Sequence, residues 1–569
     1  AGAEGMNQPA GSDGQPDNWE EPDFFRRRPE IARFQENGWQ EPCESRDSRT
    51  DVCPRKAGMF SRSQSCQGKN QEPCSWDGRY EGNRLRLAKF IPWDGFEPAY
   101  RKAASKSSLG PPAKSVRVAL GALIIKERLG TSDEETVEQI RENPYLQYFL
   151  GYKEYKDEQP FDPSMFVYFR KRFKKSRLSD LNEVIAQKAL GEEKKASEQK
   201  ASSKDIDDDP GSTSGSNRGK LLVDATCTPA DITFPTDLKI LNTCREKSEE
   251  IIDILHRPLK GKQKKPRTYR KRARKEYLLA AKSKKLSKSK RRKALRKQLG
   301  YLRRNLKSID KLSNQTSLLR LTARQYKNLL VIHEVYRQQQ WMYDHHERRI
   351  DDRIVSVSQP HVRPIKRGKA GAGTEFGAKI SVSLVNGFSF VDRISWDAYN
   401  ESGDLIGQIE SYRKRFGHYP ESVHADKIYR TRGNRKYCKK HGIRLSGPPL
   451  GRPPSEPEKQ QAIKLQAYQD ELERIPIEGK FGQGKRRFSL ARVMCKLAMT
   501  SETAIMVAFL VMNLEKWLKS HLFCLFSSLQ KCILCLLNLK TTVWMNPRGS
   551  SRFYCDLRKG ILQTCIVRI

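Results

Sequence analysis

The chain has 569 residues, 37% hydrophobic and 31% charged, with a net charge of +41 and a pI near 9.8. That apolar share excludes a chain disordered throughout, and the length accommodates about two to four domains. The excess charge points to a polyanionic partner, because Lys and Arg gain affinity by releasing counterions from a phosphate backbone; nucleic acid comes first and an anionic membrane surface second.

Residues 1–80 are rich in Gly, Pro, Ser, Gln and charge without periodicity, and read as a disordered or loosely attached extension. Residues 81–190 read as a helical, DNA-binding domain. Within it the apolar run Ser115 to Ile125 predicts a compact helix, Thr131-Ser-Asp-Glu-Glu135 a capping signal, Asn143-Pro144 a break, and Phe166 to Arg177 a basic helix. Short helices of this kind suit a helix-turn-helix-like module or, equally, a plain bundle with a basic surface. Residues 191–218 read as a flexible linker of Glu, Lys, Ser, Asp and Gly.

Gly219-Lys-Leu-Leu-Val-Asp224 then predicts a buried strand that delivers a carboxylate at its C-terminal end. The basic stretch follows: Arg257 to Lys307 holds 24 Lys or Arg against the single acid Glu276. Leu295, Leu299, Leu302 and Leu306 repeat at helical spacing, so residues 257–354 are expected to be a basic helical insertion after the first strand. Lys379 to Val391 alternates about Asn386-Gly387 and predicts a hairpin. Leu405, Ile409, Tyr412 and Phe416 form a helical stripe, and Ser422-Val-His-Ala-Asp426 is a second strand ending in an acid. A helix from Asn434 to Lys440 and a strand Ile443-Arg-Leu445 complete a mixed α/β sheet with flanking helices, over residues 219–256 and 355–517.

Arg474, Glu478 and Lys485 are offset by four and seven, which on a helix is one face. Alone, that pattern reads as a solvated charged face. With Asp224 and Asp426 at two strand ends, it becomes a third carboxylate for hard divalent ions, which prefer oxygen ligands and promote in-line displacement at phosphorus. Lys427, Arg430, Arg474, Lys480 and Lys485 are the cations expected on DNA phosphates. Pro476 lies inside this supposed helix with Gly479, Gly482 and Gly484 behind it, which weakens the one-face argument for Arg474.

Val-Asp224-Ala-Thr, Ala-Asp426-Lys-Ile-Tyr-Arg-Thr-Arg-Gly-Asn-Arg435 and Arg474-x3-Glu478-x6-Lys485 resemble bacterial insertion-sequence transposases of the DDE class, and Trp93, Tyr100 and the Ser115 to Gly151 region resemble the helical domain preceding their catalytic core. The resemblance covers roughly residues 80 to 515. It implies an RNase H-like fold, a catalytic and metal-binding triad of Asp224, Asp426 and Glu478, and Mg2+ as cofactor with Mn2+ as its substitute. It implies that water cuts double-stranded DNA at the element's terminal inverted repeats and that the freed 3′ hydroxyl attacks target DNA. Cutting two ends makes a homodimer on DNA the expectation. The family carries Tyr three residues before the Arg, where this chain has Glu471, so no stacking role is carried over.

Nine of the 13 cysteines lie in the two ends, and Cys532-x-x-Cys535 has no answering second pair, so no zinc site is expected. The Cys-poor middle reads as cytoplasmic and, for a bacterial transposase, nucleoid-associated. Charges interrupt the apolar stretch Ala504 to Leu539, so a buried helix is expected and no membrane partner. Residues 1–80 and 518–569 lie outside the resemblance and are expected to be translated flanking sequence or an altered frame. The alternative function is a catalytically inactive DNA-binding protein or repressor derived from a transposase. RNA binding ranks below both, because the paired aromatic strand motifs that stack bases are missing.

Overall fold

The computed structural model describes residues 83–102, 112–201, 217–283, 285–366, 373–447, 454, 456–536, 541–545 and 551–555, with side chains between 87 and 521 except at 194–201. The extension before residue 81 and the paired cysteines near the C-terminus therefore lie outside the described side chains.

The first helices are α1 (Asn83–Phe90), α2 (Trp93–Lys102), α3 (Val116–Leu129), α4 (Asp133–Glu142), α5 (Pro144–Phe149), α6 (Met165–Arg172) and α7 (Lys175–Ala201). The local signals act as expected: Ser132 caps α4 by accepting the Glu135 N–H, and Asn143 accepts from Tyr145 and Leu146 with Pro144 in the first turn of α5. Helix α3 is buried on nearly every side, the mark of a central helix rather than a surface one. Helix α7 runs to Ala201, so the first residues of the expected linker continue a helix. Glu and Lys favour helix as much as solvent, which hid this boundary.

Strand β1 (Lys220–Pro229) opens the sheet, and four helices follow: α8 (Asp237–His256), α9 (Arg270–Ala281), α10 (Lys288–Gln315) and α11 (Ala323–Asp344). They enclose their own core, with Leu241, Ile252, Leu255, Leu302, Ile309, Leu329 and Ile332 all buried. Helix α8, which the expected boundary at residue 257 sets with the sheet, packs its apolar stripe on α10 and α11. Leu299, Leu302 and Leu306 are buried as the periodicity required.

The chain returns through β2 (Arg363–Lys366), β3 (Thr374–Val385) and β4 (Phe388–Ser395), then α12 (Leu405–Phe416), β5 (Ser422–His424), α13 (Arg432–Lys440), β6 (Arg444–Leu445), α14 (Pro457–Arg487) and α15 (Ala498–Leu536). A short antiparallel pair, β7 (Thr541–Met545) and β8 (Ser551–Cys555), follows. The main sheet runs β2-β3-β1-β5-β6 with β4 also on β3; β3 is antiparallel to β1, β2 and β4, whereas β5 is parallel to β1 and β6. The Asn386-Gly387 turn has φ of 47° and 78°, the left-handed pair that a two-residue hairpin needs. At Gly377 a Cβ would overlap the Thr228 carbonyl oxygen, so only glycine lets β3 lie this close to β1.

Helix α15 joins the two halves. Its segment Ala498–His521 has the length and apolarity of a membrane span, but 78% of the window is buried inside the protein, so it serves as a core helix. Asn513 on it donates to Asn182 of α7 and to the Ser389 carbonyl of β4 (2.8 and 2.7 Å), and accepts from the Ser389 N–H. The N-terminal helices and the sheet consequently share one continuous core, including Leu120, Phe169, Val382 and Phe509.

Candidate active site

The parallel register of β1 and β5 sets Lys220, Leu221 and Leu222 against Ser422, Val423 and His424. Two residues beyond Leu222 and His424 stand Asp224 and Asp426, so both acids stand at the same height along the two chains. Asp224 is not at a strand end, as expected, but inside β1, where pairing continues against β3 as far as Pro229. What ends beside it is β5, and that ending opens the space. Each acid accepts the N–H of the next residue through one oxygen, Asp224 from Ala225 at 2.8 Å and Asp426 from Lys427 at 2.7 Å.

Helix α14 supplies the third acid. It runs unbroken through Pro476 and the glycines, the residues that weakened the one-face argument. Pro476 and Leu472 lie on its exposed side, where water can replace the hydrogen bond that proline removes. The predicted face forms: Arg474 reaches Glu478 at 2.7 Å and also Asp426 at 3.1 Å. The guanidinium stands where all three acids act on it. Burial would lower its pKa, but the charges of Asp426, Glu478 and Asp224 outweigh that and hold it raised.

Asp224 is the most shielded acid. Burial pushes it up to about 6, while the Ala225 N–H and Arg474 pull it down and the charges of Glu401 and Asp426 push it up. As placed, no three His, Cys, Asp or Glu side chains among the described residues are close enough to hold one metal ion. The acids are spaced around a guanidinium instead. Their chemistry, three oxygen-bearing anions converging on one cation, still suits a hard divalent ion.

A second network fixes α14 on the sheet, and sequence reasoning missed it. Asp470 accepts from Arg444 of β6 (2.8 Å) and from the Gly447 N–H (2.9 Å), Glu473 pairs with Lys220 of β1 (2.5 Å), and fully buried His424 of β5 lies 3.0 Å from Glu473. Three strands thus grip one turn of the helix immediately before Arg474. A histidine inside the apolar strand leading to Asp426 was the available signal, since a buried imidazole requires a partner.

The remaining cations divide. Lys427 is exposed beside Asp426, and half-buried Lys485 lies two turns beyond Glu478. Arg430 packs against Gly447, and burial lowers its pKa. Lys480 departs from expectation: it is buried, donates to the Gly387 carbonyl at 3.3 Å, and burial together with Lys516 and Lys519 pushes it down to about 8. Only two positions from Glu478, it points to the opposite side of the helix.

Two family models match the chain: a transposase DDE domain over residues 423–515 and a transposase domain (DUF772) over residues 79–172. The first holds Asp426 and Glu478; Asp224 and the insertion lie outside both. The chain is also similar to the uncharacterized protein ORF8 in the nfe locus of Rhizobium meliloti, with 30% identity over 156 residues. That stretch covers 27% of this chain and 66% of the relative. No solved structure matches.

Proposed function

We propose, for a chain that belongs to the insertion-sequence DDE transposases, that it cuts double-stranded DNA at the element's terminal inverted repeats and joins the freed ends to target DNA. The observation that carries this reading is the convergence of Asp224, Asp426 and Glu478 on the single guanidinium of Arg474. The strand order, with three antiparallel strands followed by two parallel ones, supports an RNase H-like core.

In this reading Asp224, Asp426 and Glu478 hold divalent metal, Mg2+ or its substitute Mn2+. When bound, the metal would activate water or a 3′ hydroxyl and stabilise the leaving oxygen at phosphorus. Arg474 then turns from the acids to a DNA phosphate, a target its planar fork suits. Lys427, Arg430 and Lys485 hold neighbouring phosphates on either side. Lys480 takes no part, because it is buried toward Gly387. The latch formed by Asp470, Glu473 and His424 keeps α14 in register, so that Glu478 faces Asp224 and Asp426. Acting on two ends calls for a homodimer on DNA, working in the cytoplasm on the nucleoid.

The test is metal-dependent cleavage and strand transfer on DNA carrying the repeats that flank the gene, repeated with Asp224→Ala, Asp426→Ala and Glu478→Ala. Loss of both activities in each variant, with DNA binding retained, is the expected result. Cleavage surviving all three changes would overturn the assignment. Binding without cleavage by the unaltered chain would favour the repressor reading instead.

A further inference from the structure

The charge of the insertion is organised. Of the 24 Lys or Arg between Arg257 and Lys307, 22 are exposed; Arg292 is half-buried and Lys284 lies outside the described residues. On α10, Leu299, Leu302, Leu306 and Ile309 turn inward. At 100° per residue, Lys290, Lys293 and Lys307 fall on the opposite side, with Arg296 and Arg303 on its flanks. All five are exposed. From Lys290 to Lys307 this stripe is about 26 Å long at 1.5 Å per residue, the length of roughly eight base pairs of duplex.

Acids do little to offset it. Asp253 takes Lys265 and Arg270, and Glu276 takes Arg272 and Lys297. Helix α9 adds Lys271, Arg274 and Lys275 on its own exposed side. Like charges this dense repel one another and oppose folding, so the field is suited to a polyanion that relieves it. An interfacial membrane helix needs an exposed apolar face, whereas that of α10 is buried against α8 and α11.

We propose that the exposed faces of α9 and α10 form a second DNA-binding surface, which holds the phosphate backbone of a duplex without reading its sequence. The proposal rests on DNA being the substrate, as argued above, and adds a site on elements whose core is separate from the one beneath the carboxylates. Such a surface would hold target or flanking DNA by charge alone while the sheet acts on the element end.

The experiment uses the full chain and a 30-base-pair duplex without the terminal repeats, with binding followed by fluorescence anisotropy over a range of salt. Replacing Lys290, Lys293, Arg296, Arg303 and Lys307 by Gln should flatten the plot of log affinity against log salt by about 0.9 for each phosphate no longer neutralised, up to about 4.5 in all. Lys271→Gln, Arg274→Gln and Lys275→Gln together form a second variant, expected to lower the slope by up to about 3. Circular dichroism checks that each remains folded. An unchanged slope in a folded variant overturns the proposal, as does tighter binding to phosphatidylserine vesicles than to the duplex. Because cleavage is scored separately on repeat DNA, an unchanged slope with cleavage intact sinks this surface and leaves the catalytic reading standing.

Discussion

The sheet and the insertion use charge in opposite ways. In the sheet and the turn beside it, charged groups are half-buried and matched: Asp392 is held by Arg415, Ser383 and Gln408, Asp404 by Arg393 and Ser381, and Glu401 by Lys379. In the insertion the cations face water with few acids near them. Matched charges fix geometry over a few ångströms. Unmatched ones act over about a Debye length, near 8 Å at physiological salt, and weaken as salt is added. The proposed chemistry at phosphorus demands the first, and the proposed gathering of a long polyanion the second.

That contrast can be broken by variants in each region. The largest effect belongs to the acids: Asp224→Asn, Asp426→Asn or Glu478→Gln should each lower the single-turnover cleavage rate by roughly 10²–10³-fold or more, the scale of losing one preorganised electrostatic group. Non-specific duplex affinity should barely move. If it fell in parallel with cleavage, the division of labour would be wrong.

Leu302→Ala is next. Leu302 is fully buried in the insertion's own core, so the change should cost about 2–5 kcal/mol. Because that core is separate from the one beneath the sheet, hydrogen exchange should accelerate in α8, α10 and α11 and leave β3 protected. Equal acceleration in both would show one cooperative unit.

Glu127 sharpens the comparison from the sheet side. It sits on α3 in the shared core, and burial pushes its pKa up to about 7 despite Lys126, Ser489 and Arg170. Since the folded pKa exceeds the ordinary 4.5, folding favours the protonated form: there is no penalty below 4.5, and a growing one as pH rises to about 7. Glu127→Gln should therefore raise stability at pH 8 by up to about 3 kcal/mol and leave it unchanged at pH 4. Thermal melts at the two pH values check this.

The smallest effect is at the latch. Burial raises Asp470, but the Gly447 N–H, Arg444 and Gln466 outweigh it and hold the carboxyl below its usual range. Its stabilisation is thus complete above the ordinary aspartate value and lost as pH falls through the lowered one. Asp470→Asn should cost about 1.5–3 kcal/mol at neutral pH, the worth of a charge-assisted hydrogen bond. It should also lower cleavage more than duplex affinity, because it loosens the turn before Arg474. A melt that showed no loss would remove the latch from the account.

Much of this was legible because the relevant signals are local. The Asn386-Gly387 hairpin, the caps at Ser132 and Asn143 and the leucine stripe of α10 each follow from neighbouring residues. The continuation of β1 past Asp224 was not, since it depends on β3, which pairs Asp224 with Val382. The packing of α8 likewise needed the partner surfaces on α10 and α11. The spacing of Arg474 and Glu478 foretold their pairing, but not that Asp426 would share the same guanidinium. Lys480 misled because a two-residue offset on a helix turns a side chain to the far side, where burial outweighs its charge.

The insertion also bears on how the chain can fold. Strand β1 ends at Pro229 and the next strand begins at Arg363, so residues 230–362 separate pieces of sheet that must meet. As a loose loop, that span would slow the search for the β1–β3 pairing that fixes Asp224. As a helical unit with its own core, it can form early and hold its two ends, so that the sheet closes across a folded spacer. Pulse-labelled refolding should then find α8, α10 and α11 protected before β1 and β3.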